Sequence, residues 1–292
     1  MIIDFHTHTF PDAIAERTIH KLETAAGIHA RTNGTLDGLK VSMKQAGVDY
    51  SVILPVVTKP SQFDTINQCA AAINGTDHII SFGGIHPDNE DIIQKLSYIR
   101  ELGLPGIKLH PDYQGVHIND PRYLKLVTAA VDLGLIVIIH AGVDVGLPEE
   151  VHCPPEEAVQ MLCYVEEHAK DPASARIILA HTGGWKQWGA VEELLVGKPV
   201  YFDLAYTFGF ISESQLLRII QNHGADRILF ATDSPWNDQA EDIHALQQLP
   251  LTKEEQAAIL GENAARLLHL PLSETPSDPV VTLLFQKLHC PV

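Results

Sequence analysis

Apolar residues along this chain gather in short dense runs, and each run is followed by a stretch whose apolar positions fall three or four residues apart. The runs are MIIDF (1–5), SVILPVV (51–57), IISFGGIHP (79–87), GIKLHP (106–111), LIVIIHAG (135–142), RIILAHTGG (176–184), VYFDLAY (200–206) and RILFATDSP (227–235). Near-continuous apolar runs of this length predict strands covered on both faces, as in a parallel sheet. Helical stretches lie between them: Pro11 to about Ala26, a helix containing 67–74, then 91–102, 121–134, about 155–169, 190–197, 212–224 and 241–249. The stretch 121–134 enters on Pro and ends on Gly, as helices favour. Strand–helix units repeated eight times predict an α/β chain closed into a (β/α)8 TIM barrel. An open doubly wound sheet would carry a glycine-rich turn after its first strand. Here that turn reads HTHTFP.

The stretch TKEEQAAILGENAARLLHL (252–270) predicts closing helices. Residues 1–292 therefore read as a single barrel domain with a C-terminal helical extension from about 252. The turn-rich SETPSDP then leads to VVTLLFQKL (280–288), which fits either an extra helix docked on the barrel or a contact in a homo-oligomer.

Composition narrows the partners. At 45% hydrophobic and 20% charged residues, the chain can fill a large core and is not disordered. Its formal net charge is −17, and a field of that sign repels nucleic acid and anionic membranes, so neither is an expected partner. Cys69, Cys153, Cys163 and Cys290 have no close spacing, so free thiols in a reducing compartment are expected. No leader pattern opens the sequence, and no apolar run reaches the roughly 20 residues of a membrane span. The expected location is cytoplasmic.

In a parallel barrel the chemistry sits at the C-terminal ends of the strands. The first run leads into His6-Thr7-His8 and the third ends at His86-Pro87. The fourth carries Lys108 and His110, the fifth His140, the sixth His181 and the seventh Asp203. The eighth ends Asp233-Ser234-Pro235. Singly these are weak signals. With 16 His in 292 residues, chance alone gives about one His-x-His pair. A lone strand-end His is more often a satisfied core or loop residue, and an Asp before Ser-Pro is often a cap or turn residue. Together they converge. Strand residues i and i+2 share a face, so His6 and His8 point together, as do Lys108 and His110. Barrel closure sets Asp233 beside the histidine pair. Imidazoles from strands one and five plus that carboxylate form an N/O donor set suited to Zn2+, Fe2+, Mn2+ or Ni2+, with His181 in the same ring. Helical His20, His168, His223, His244 and His269 read as solvated or half-buried. The loop or end positions His29, His78, His117, His152 and His289 read the same way.

IDFHTHTFP, GIKLHP, IIHAG, LAHTGG, FATDSP and ILGENAARLL follow one another over residues 2–268. In order and spacing they resemble the amidohydrolase superfamily, in particular its amidohydrolase-2 branch, which also holds nonhydrolytic decarboxylases. The resemblance implies that His6, His8, His140 and Asp233 are metal ligands. It implies that Asp233 also holds or deprotonates a water, and that His181 transfers a proton or polarises substrate. One divalent ion is favoured, Zn2+ first, and two are compatible. Lys108 would be a carbamylated bridge between two ions, a clamp for a substrate carboxylate, or simply an ion-paired lysine in the mouth. His110 would orient Lys108 or touch substrate. The implied activity is hydrolysis of an amide, lactone or ester-like bond in a small carboxylate-bearing molecule. The alternatives are decarboxylation of an aromatic or unsaturated acid and, third, metal-dependent binding without catalysis. Trp185, Trp188, Tyr206, Phe208, Phe210 and Trp236 follow strand ends and fit either a pocket wall or ordinary loop packing.

Overall fold

The computed structural model describes residues 1–272, and the segment 280–288 lies outside them. The strands are β1 (Ile3–Thr7), β2 (Tyr50–Ile53), β3 (Ile79–Ser81, resuming at Gly83–Gly84) and β4 (Gly106–Leu109). They continue as β5 (Ile136–Ile139), β6 (Ile177–Leu179), β7 (Tyr201–Asp203) and β8 (Ile228–Leu229). Each pairs in parallel with its sequence neighbour, for example Gly106 with Ile136 through Leu109 with Ile139. The break in β3 falls at Phe82, whose N–H still donates to Ile53 O at 3.0 Å. The chain beyond β8 lies against β1. Phe5 N donates to Phe230 O (3.0 Å), Asp233 N to His6 O (2.8 Å) and His8 N to Ser234 O (2.6 Å), and Thr7 bridges Ser234 in parallel.

Two apolar sets follow from strand alternation. Phe5, Val52, Leu54, Phe82, Ile136, Ile138, Ile178 and Leu229 fill the interior, closed by Ala264, Ala265 and Leu267. Val137, Ile139, Ile177, Leu179 and Phe202 face outward onto the helices. These are α1 (Asp12–Ala26), α2 (Leu36–Ala46), α3 (Phe63–Ile73), α4 (Ile92–Glu101), the short α5 (Pro111–Gln114) and α6 (Pro121–Asp132). After them come α7 (Pro155–His168), α8 (Trp188–Leu194), α9 (Glu213–His223), α10 (Gln239–Gln248), α11 (Lys253–Ala257) and α12 (Asn263–Leu268). No described helix is long and apolar enough to cross a membrane.

Three differences from the sequence reading have physical causes. Helix α2 was not expected. Gly38 weakens its pattern, yet the Thr35 side chain caps it by accepting from Gly38 N, Gly47 ends it in the left-handed region, and Leu39 and Met43 bury one face. The strands are shorter than their apolar runs, because the C-terminal part of several runs leaves the ladder to build the mouth. The closing stretch forms α11 and α12, joined by a π-helical turn at Ala258–Glu262. Finally, β1 carries an extra residue between Asp4 and Thr7 relative to β2. That bulge lets both Phe5 and the His6–His8 pair face the interior, which strict alternation would forbid.

Candidate metal centre

The bulged end of β1 brings His6 and His8 together with the end of the β8 run. His6 Nε2 lies 3.1 Å from His8 Nε2, and Asp233 Oδ1 lies 3.4 Å from the first and 3.2 Å from the second. Asp233 holds φ +65°, a conformation uncommon for a residue other than glycine, and its N–H is tied to His6 O. The proton positions follow from the partners. His8 Nδ1 faces the Leu54 carbonyl at 2.8 Å, and a carbonyl only accepts, so Nδ1 carries the hydrogen. His6 Nδ1 donates to Asp203 Oδ2 at 2.8 Å. Both Nε2 atoms are therefore bare, and they point at each other and at a carboxylate oxygen. Three electron-rich atoms in mutual contact require a positive charge among them. The ligand atoms of His6, His8 and Asp233 fit a divalent ion, and the carboxylate behind His6 is a usual support for a ligating imidazole.

A positive group already stands there. Lys108 on β4 is buried, and its Nζ lies 3.1 Å from His6 Nε2. Burial lowers its pKa to about 8, against the pull of Asp203, Asp233 and Asp144. Burial, then Lys108, holds His6 well below the ordinary imidazole value, so it is neutral and ligand-ready. Asp203 is fully buried and accepts from His181 N (2.8 Å) and Ala205 N (3.1 Å) as well as His6; burial raises its pKa.

Across the mouth the other expected residues form a second group. His140 is grouped with His110 and Asp144 and not with the first three. His181 Nδ1 faces the Ala205 carbonyl at 2.9 Å and so carries the hydrogen, which makes its Nε2 the acceptor for His140 Nδ1 at 2.9 Å. His140 Nε2 is thereby bare, and it is buried without a hydrogen-bond partner, 3.9 Å from both Asp112 Oδ2 and Asp144 Oδ2. Asp112 Oδ2 is likewise unpartnered. The His110 ring stacks between His140 (centroids 4.1 Å apart) and Tyr113 (4.1 Å), with its Nε2 3.4 Å from Asp144 Oδ2. Burial lowers the pKa of His110 and His140. Lys108 and His110 thus share a face but reach different groups.

Several residues were not singled out from sequence. The sequence pattern gives Asp203 no role beyond its place at a strand end and does not single out Asp112 or Asp144. Asp4 is fully buried and receives Thr232 N (3.0 Å), Thr232 Oγ1 (2.6 Å) and Gln239 Nε2 (2.8 Å), which fastens the approach to Asp233. Burial lifts its pKa to about 6. Its signal was a lone acid inside an apolar run. His223, read as half-buried at most, is buried, with Nε2 donating to Val200 O at 2.8 Å and its ring stacked on Phe202. Trp185, Tyr206 and Phe210 pack together beyond β6 and β7, with centroids 4.8 to 6.1 Å apart; Trp188 packs on Trp185 at 6.4 Å, and Trp185, Trp188 and Tyr206 are all part of the outer core.

A family model described as amidohydrolase matches residues 3–270. An uncharacterized TIM-barrel protein from Bordetella bronchiseptica is 19% identical with a TM-score of 0.71, over 92% of this chain and 98% of its own. The 5-carboxyvanillate decarboxylase of Sphingomonas paucimobilis is 15% identical with a TM-score of 0.62, over 92% and 99%. A probable 2-pyrone-4,6-dicarboxylic acid hydrolase from Acinetobacter baumannii is 20% identical with a TM-score of 0.61, again over 92% and 99%. At these identities the three structures establish the fold and no more. No curated protein matches the chain.

Proposed function

The chain belongs to the amidohydrolase family, and from that premise we propose that it is a metal-dependent hydrolase of an amide, lactone or ester-like bond in a small carboxylate-bearing molecule. The observation that carries this reading is the convergence of bare His6 Nε2, bare His8 Nε2 and Asp233 Oδ1 beside a buried lysine. These three would hold the ion, with His140 as fourth ligand because its Nε2 is buried and unpartnered. Zn2+ suits the donor set first, with Mn2+, Fe2+ and Ni2+ as alternatives. A divalent ion there acidifies a water and polarises a carbonyl.

The protein's own groups supply the rest. Asp233, at the edge of the mouth, accepts the proton of the attacking water and returns it to the leaving group. His181 lies beside His6, with ring centroids 5.2 Å apart, and would stabilise the oxygen on which charge develops once it takes up a proton at Nε2 and releases His140 Nδ1. Lys108 in its ammonium form binds a substrate carboxylate. Asp203 keeps the His6 ring in one tautomer.

Decarboxylation is the second reading. The cluster of Trp185, Tyr206 and Phe210 after the ends of β6 and β7 supports it, since aromatic rings suit an aromatic acid. One experiment separates the two. The Zn2+-loaded chain is turned over in 18O-labelled water against lactones, amides and aromatic acids. Hydrolysis places the label in product; decarboxylation releases CO2 and places none. Turnover that persists after complete metal removal would defeat both.

A further inference from the structure

A third histidine group lies on the rim, outside the mouth. His117 follows α5, and Glu150 and His152 belong to the loop that leaves β5 at Gly142 and returns before α7. Their ligand atoms all lie within 4.8 Å of one another. Each imidazole is backed by a carboxylate on Nδ1. His117 Nδ1 is 3.1 and 2.9 Å from the Glu157 oxygens, and His152 Nδ1 is 3.2 Å from Asp112 Oδ1. With Nδ1 donating in each ring, both Nε2 atoms present lone pairs when the rings are neutral. They face one carboxylate, His117 Nε2 at 3.3 Å from Glu150 Oε1 and His152 Nε2 at 3.9 Å from Glu150 Oε2. Protonation of His117 satisfies its own side of Glu150 but does not bring His152 Nε2, 3.9 Å away, into the group. A single cation satisfies all three atoms.

The geometry points to a second divalent-cation site of the Zn2+ class, with His117, Glu150 and His152 as ligands and Glu157 and Asp112 as the carboxylates that orient the two rings. Paired carboxylate–imidazole supports of this kind are what ligating histidines use. The site shares no ligand with the mouth. It is open to solvent, since the Glu150 side chain is 68% exposed and that of His117 39%.

Its place in the fold gives it a task. The loop is already pinned near its return, where His152 N donates to Asp112 Oδ1 (3.1 Å), Ile118 N to His152 O (2.8 Å) and Gly142 N to Cys153 O (3.0 Å). A cation joining Glu150 and His152 to His117 fastens the outer limb too. The same loop carries Asp144, which faces His110 and His140. The rim ion thereby holds one wall of the mouth in position.

The test is equilibrium dialysis of the full chain against Zn2+ with bound metal counted by elemental analysis. Wild type should hold two tight equivalents. His117→Ala and Glu150→Gln should each lose one, with thermal unfolding confirming that the variants fold. Glu157→Gln should keep it with affinity about 10- to 100-fold weaker. His8→Ala should lose the other equivalent and leave the rim ion in place. The site is overturned if His117→Ala and Glu150→Gln retain every equivalent the wild type holds, or if His8→Ala alone accounts for all the bound metal.

Discussion

The two sides of the barrel mouth are built differently. On the β1–β8 side the ligating rings are locked from behind: His6 by Asp203, His8 by the Leu54 carbonyl, and the segment leading to Asp233 by Asp4 and by backbone bonds to β1. On the β4–β5 side His110 stacks between His140 and Tyr113 while accepting from Tyr113 N, His140 is held only through His181 Nε2, and two buried polar atoms, His140 Nε2 and Asp112 Oδ2, have no partner. A buried polar atom without a partner costs about 1–3 kcal/mol, so these two atoms gain from any water or ligand group that reaches them. One side is a preset socket and the other is the face that responds to what enters.

The sharpest way to break this contrast is His8→Ala, which should abolish both metal retention and turnover, read by metal content and by activity after reloading. Asp233→Asn should lower kcat by about 10²–10⁴-fold, the usual contribution of a positioned proton-transfer group. If kcat is unchanged with metal retained, Asp233 does not act as the base. Next, His140→Ala should weaken the mouth metal less than His8→Ala does, as measured by chelator competition; equal losses would erase the distinction between the sides. Asp203→Asn should cost about 10- to 100-fold in metal affinity, because it frees the His6 ring without removing a ligand.

The smallest effect on the site concerns stability. Asp242 lies on α10, the helix whose Gln239 braces Asp4, and burial lifts its pKa to about 8. The unfolded carboxyl titrates near its ordinary value, so the stabilising share of the protonated form is fully present below about pH 4 and gone above about pH 8. Asp242→Asn cannot ionise. Its stability relative to wild type should therefore rise between pH 4 and 8, by up to about 1.4 kcal/mol per pH unit, in urea titrations across that range. A difference that does not vary with pH would mean the carboxyl titrates normally.

The barrel was legible because its strands are apolar on both faces and its polar strand ends interrupt them in order. His6 and His8 could be paired, and Asp233 set beside them, by alternation and closure alone. Other features could not be read in this way. The β1 bulge is a register property of two strands, invisible in either one. Asp203 and Asp4 act through partners about 200 positions away, and a single buried acid in a strand carries no mark of that. His117 and His152 belong to two loops whose meeting depends on Asp112, so each alone looked like an ordinary polar position. Helix α2 was missed for a local reason, a glycine in its first turn.

The lacing of β1 to the end of β8 sets a schedule for the site. His6 and its partner Asp203 are 197 positions apart, and Asp4 and Thr232 are 228 apart. At translation speeds of about 5–20 residues per second, His6 waits on the order of 10 to 40 s for its supporting carboxylate to be synthesised. No nascent chain short of β7 and β8 can assemble the ligand cluster, however much of the sheet it has formed. Ion uptake at the mouth is thereby a late event in the life of each molecule, and a retained ion certifies that the ring has been finished.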